Sequence, residues 1–207
     1  MTRRLSVVLS LAALLALPAL AQQKDKTPPA GQPPQMSAED QALMEAFERM
    51  GRVGENHKLL EPMAGEWSAK VTMWMKPGVP PMESAGSMVT RSVYGGRYYH
   101  AVYKGEMMGT PFEGAAATGY DNLTGKFWNT WVDSMSTGLA YMTGTYDPAS
   151  KSITFNGEWP DPMNPKTMTK VREVFRLAEA DRHVMEMYEM RDGKEFKSME
   201  IVYTRKK

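Results

Sequence analysis

The feature that most restricts this chain is an alternation that begins at Trp67. Trp67, Ala69, Val71, Met73 and Met75 fall on one side of a pleated strand, and Ser68, Lys70, Thr72 and Trp74 on the other. Turn residues then punctuate the chain at short intervals. They are Pro77-Gly78 with Pro80-Pro81, Gly95-Gly96, Asp121-Asn122 with Gly125, Asp147-Pro148, a longer loop at 160–165, a turn at 179–181 and Asp192-Gly193. The segments between them are rich in Val, Ile, Thr, Tyr, Phe and Trp, without helical spacing. The pattern predicts an all-β domain of about ten strands over residues 65–205. Hairpin-length connections favour an antiparallel up-and-down barrel over a Greek-key sandwich. There is no cysteine, so no disulfide can staple the fold; 42% hydrophobic residues suffice for one core.

The N-terminus reads differently. Arg3 and Arg4 precede an apolar run over residues 5–17, and Pro18 leads to Ala19-Leu20-Ala21, a small-x-small cleavage site. These are the three parts of a secretory signal, with cleavage expected after Ala21 and a destination in the periplasm or outside the cell. The apolar run is too short to span a bilayer. The strongly apolar core fits the general secretory route, although Thr2-Arg3-Arg4-Leu5 resembles a twin-arginine signal. Absence of cysteine excludes a lipoprotein anchor, and no second apolar span follows. Removing residues 1–21 takes away two arginines and no acid, leaving 23 basic against 24 acidic residues. A near-neutral chain has no electrostatic grip on nucleic acid or anionic membrane. Residues 22–36, polar with two Pro-Pro pairs, read as a semi-extended linker. Residues 37–54 read as a short helix, with Ser37 as N-cap, Asp40 three residues on, and Leu43, Met44, Phe47 and Met50 as an apolar stripe. That stripe is expected to pack, with the barrel mouth as its candidate partner. The barrel domain is expected over 55–207.

Gly65-Glu66-Trp67 opens the first strand and Tyr203-Thr204-Arg205 closes the last. This pairing of Gly-x-Trp with a terminal basic residue resembles lipocalins and fatty-acid-binding proteins, the calycins. Longer stretches lie between: Tyr94-Gly95-Gly96-Arg97-Tyr98, residues 105–112, Gly119-Tyr120-Asp121, Trp131-Val132-Asp133-Ser134-Met135 and Pro160-Asp161-Pro162-Met163. In this order they resemble the family known as domain of unknown function 1579, over roughly residues 57–207. The resemblance implies a calycin-like barrel in an exported bacterial protein, and brings no activity and no catalytic residue.

Trp67 and Arg205 become neighbours when an up-and-down barrel closes. The resemblance implies that the guanidinium stacks on the indole and shuts one end, a contact worth about 0.5–2 kcal/mol. Tyr203 and Arg205 share a face, so the same arginine is alternatively a carboxylate holder within the lumen. His100 lies on a strand with Tyr98 and Val102 on its own face, and is the candidate for haem or metal ligation. It has no partner at metal-ligand spacing, and no His-Glu-x-x-His motif is present. Nineteen methionines, with Met73 and Met75 on one face and Met185 and Met187 on another, suit either an adaptable lumen lining or a copper(I) site. Trp131 and Asp133 share a face with Asn129. Asp133 reads as a ligand contact, as a buried acid, or as the exposed end of a strand. Glu173 falls between Val171 and Phe175, which points an acid inward and demands a partner for it, with Arg205 and Tyr203 as the candidates. No cysteine or Gly-x-Ser-x-Gly nucleophile is available.

These residues predict a small apolar or amphipathic ligand in the lumen, contacted by Met73, His100, Trp131, Asp133, Glu173, Tyr203 and Arg205, with no cofactor required. Two other classes stand beside it. One is a barrel enzyme using His100, Asp133, Glu173 and Tyr203, or a haem or copper(I) protein. The other is a non-catalytic envelope module whose contact is the helix or the 160–165 loop.

Overall fold

The computed structural model describes residues 36–177, 179–191 and 193–207. The signal segment 1–21, and the linker 22–36 apart from Met36, lie outside the described residues.

Helix α1 runs Ala38–Gly51, followed by a single turn, α2, at Glu55–Lys58 and a 3₁₀ turn at Glu61–Met63. The chain divides at Gln41. Before it, Ser37 caps the helix start: its Oγ accepts the Asp40 N–H at 3.1 Å, and its own hydroxyl donates to the Asp40 carboxylate at 2.6 Å. Residues 42–207 form the second body.

That body is a closed barrel of ten antiparallel strands: β1 Gly65–Met73, β2 Met82–Val93, β3 Tyr98–Met107, β4 Thr110–Asp121, β5 Lys126–Asp133, β6 Ala140–Asp147, β7 Ser152–Asp161, β8 Asn164–Arg176, β9 Arg182–Arg191 and β10 Lys194–Arg205. Each strand pairs with its sequence neighbours, and β10 returns to β1 in a register that sets Trp67 opposite Arg205 and Met73 opposite Met199. Closure leaves no unpaired sheet edge.

Two turns are tighter than the composition suggested. Met108-Gly109 joins β3 to β4 with both residues at positive φ, 52° and 75°, the two-residue hairpin geometry that matches strand twist. The expected 160–165 loop shrinks to Pro162-Met163, because Asp161 Oδ1 accepts the Met163 N–H at 2.7 Å and both flanking residues pair as strand. A register shift in β10 between Lys197 and Met199 carries Met199, Ile201 and Tyr203 onto the inner face.

The apolar stripe of α1 does not pack as expected. Leu43, Met44, Phe47 and Met50 are all exposed, and the helix buries none of its residues. What holds its end is polar. Asn122 Nδ2 donates to the carbonyls of Arg49, Met50 and Arg52 at 3.1, 3.1 and 2.7 Å, and Arg97 Nη2 donates to the Gly51 carbonyl at 2.7 Å. Asn122 and Arg97 sit in turns at the end of the barrel where β1 begins and β10 ends.

Candidate functional site

The two ends of the lumen differ. At one end Leu60, Trp67, Ile153, Phe155 and His183 are fully buried and shut the barrel. Trp67 Nε1 donates to the Met63 carbonyl at 3.0 Å. The Arg205 guanidinium lies 4.1 Å from the Trp67 ring centroid and donates to the carbonyls of Pro62, Ala64 and Ala180 at 3.1, 2.9 and 3.0 Å. The arginine is therefore spent on closure, and its donors face away from the lumen that Tyr203 enters. His183 stacks on Trp67 at 4.4 Å, and its Nε2 lies 3.0 Å from the Pro62 carbonyl. A carbonyl only accepts, so Nε2 carries the hydrogen; burial holds the ring's pKa below the ordinary histidine range, and Nδ1 is left buried without a partner.

Next to this closed end a polar rung crosses from β5 to β8. Asn129 Nδ2 donates to Glu173 Oε1 at 3.3 Å. Glu173 is 6% exposed, with Phe155 and Met187 beside it in register on β7 and β9. Burial raises its carboxyl to about 7, against the opposing pull of the Asn129 hydrogen bond. Asn129 Oδ1 is buried and has no partner. The Tyr203 hydroxyl is pushed above the usual range by burial first, then by the charges of Glu173 and Tyr103, so the three side chains share one space.

Aromatic side chains follow toward the other end. Tyr103, Phe112 and Trp131 run along the inner wall of β3, β4 and β5, with ring centroids 5.9 and 6.3 Å apart. Trp131 lies flat against β4 because Gly114 has no Cβ there; one would overlap the indole. Trp131 Nε1 donates to Asp133 Oδ2 at 2.8 Å, and the Met135 N–H donates to Asp133 Oδ1 at 2.9 Å. Both oxygens of Asp133 are thus engaged in shaping the rim. Met73 ends β1 half-buried, in a groove of about 430 Å³ lined also by Met82, Ser84, Glu106, Met107 and Met108.

His100 does not join this site. It is exposed on the outer face, opposite Arg91 of β2 and Ala117 of β4, while Tyr99, Ala101 and Tyr103 point inward. The frame Tyr98, His100, Val102 continues into Lys104 and Glu106, and those charges mark it as the solvent side. Among the expected residues the structure therefore brings Glu173 and Tyr203 together. It places Trp131, Asp133 and Met73 nearer the mouth, and sets His100 and Arg205 apart. Two contributors were not among the expected contacts, Asn129 and Tyr103. Asn129 lies in the Trp131 frame, but its meeting with Glu173, 44 residues away, follows only from closure. Among the described residues no three acidic, His or Cys side chains converge as a metal centre, and no helix is long and apolar enough to cross a membrane.

The crystal structure of Rv2717c from M. tuberculosis is similar over all of its own length and 75% of this chain, with a TM-score of 0.54 and 14% identity, a likeness of fold alone. No curated protein matches the chain. The sequence pattern of one family matches residues 52–205, from just before α2 to the end of β10. By that match the chain belongs to the family described as "Protein of unknown function (DUF1579)".

Proposed function

We propose that this is an exported binding protein that takes a small, largely apolar or amphipathic molecule into the open half of its lumen. The supporting observation is the placement of Glu173 and Asn129. A carboxyl and an amide oxygen, neither matched by a full set of partners, face the same barrel interior as the apolar side chains of Tyr103, Phe112 and Trp131. Few polar groups converging in an apolar concavity are the usual anatomy of a small-molecule site. Buried polar atoms without partners cost stability unless something else satisfies them. The apolar signal at residues 5–17 supports export, and the near-neutral charge supports a ligand other than nucleic acid.

Glu173, held near 7, also favours a second reading. A carboxyl that gains and loses its proton close to neutrality suits general acid–base chemistry on the bound molecule.

The test is titration with an apolar fluorescent dye such as Nile red. The unaltered mature chain is expected to bind it with enhanced emission. Met73→Arg puts a charge at the half-buried rim and is expected to weaken binding at least tenfold, about 1.4 kcal/mol. Equal dye binding by a folded Met73→Arg variant places the site elsewhere.

A further inference from the structure

We infer that the ligand of this lumen carries a protonated amine, seated between Glu173 and Asn129 with its apolar body along the Tyr103–Phe112–Trp131 wall. The inference rests on the lumen-binding reading and names the ligand class for it. Its ground is the kind of vacancy at the floor. Glu173 accepts one hydrogen bond, from the Asn129 amide, and Asn129 Oδ1 is buried without a partner; an ionised carboxylate and an amide oxygen are both acceptors, so the missing partner is a donor. The missing charge is positive. No Lys, Arg or His among the described residues pairs with Glu173, whereas eleven other ion pairs form elsewhere.

The nearest bases that share the inner frame are already engaged. Arg205 is held by backbone carbonyls at the closed end, His183 by the Pro62 carbonyl, and Arg191 at the rim by Glu189 and the Met75 carbonyl. A carboxylate ligand would meet acceptors with an acceptor. An alcohol would supply one hydrogen and no charge. An ammonium supplies several hydrogens and the charge, and aromatic faces attract it as well.

The groups facing Glu173 are Asn129 from β5, Phe155 from β7, Met187 from β9, and Tyr203 from β10 with Tyr103 from β3. Burial pushes both tyrosine hydroxyls up, so they stay protonated and Glu173 titrates without a second acid or base beside it.

The experiment is calorimetric titration of the mature chain with phenylbutylamine, phenylbutanol and phenylbutyrate, which share one apolar body. At about pH 8 the amine is expected to bind at least tenfold tighter than the alcohol, and the carboxylate weakest. Amine affinity is expected to fall about tenfold from pH 8 to pH 6, as Glu173 takes up its proton. Glu173→Gln should lose the amine preference while keeping alcohol binding, a pattern that a merely misfolded variant would not give. Alcohol or carboxylate binding as tight as the amine, or an unchanged amine preference in Glu173→Gln, overturns the inference. Nile red separates the two levels. Dye binding that is sensitive to Met73→Arg, with no amine preference, removes the amine and leaves the lumen. Absence of binding by the dye and all three compounds removes both.

Discussion

Glu173 keeps a carboxyl in a lumen that offers it one amide hydrogen. Its value of about 7 against an ordinary 4.5 means that the folded state holds the proton longer than the unfolded chain does. The stabilisation is fully present below about 4.5 and is lost as pH rises through about 7, a difference of roughly 3 kcal/mol. Ligand-free Glu173→Gln should therefore lose this decline, and gain on the parent protein in melting temperature between about pH 5 and pH 8. A parallel pair of melting curves across that range would show that Glu173 is not held neutral. Arg205 is a different kind of residue. It stacks on Trp67 and satisfies three carbonyls of the closing segment. Arg205→Met should cost about 2–4 kcal/mol in urea unfolding, whereas an exposed arginine such as Arg91 should cost under about 0.5 kcal/mol. The inward frame of β8 was legible because the alternate frame holds Lys170, Arg172 and Arg176. In β3 the local segment misled, since Tyr98, His100 and Val102 look as apolar as Tyr99, Ala101 and Tyr103; only Lys104 and Glu106 decide it.

At the scale of elements, strand identity follows from alternation, and the helix from its cap and spacing. Partners do not follow, because they depend on where closure brings distant turns. The apolar stripe of α1 faces outward although its spacing suggested packing, and the helix end is held by Asn122 and Arg97 from two separate turns. Asn122 Nδ2 reaches three carbonyls at this end, so Asn122→Ala should free the last turn of α1. Amide exchange in residues 42–51 is expected to accelerate at least tenfold, with β1–β10 unchanged. Exchange at the parent rate in the variant would show that Arg97 suffices. The Met108-Gly109 turn was invisible as punctuation because methionine is not a turn residue. Its positive φ is imposed by the flanking pairs Met107–Thr110 and Glu106–Pro111.

Over the barrel as a whole, one end is shut by Leu60, Trp67, His183 and Arg205, while aromatic and methionine side chains line the other half. Closure makes the lumen a single space, which Glu173 of β8 and Asn129 of β5 both face. The family match over residues 52–205 covers all ten strands together with both sides of the polar rung. A lumen of this kind is expected to be occupied in the cell. The most direct measurement is the native mass of the chain isolated gently from its own compartment, compared with its denatured mass. An occupied lumen gives an excess that disappears on denaturation and is absent from Met73→Arg. Equal native and denatured masses, at a detection limit below about one ligand per ten chains, would contradict it.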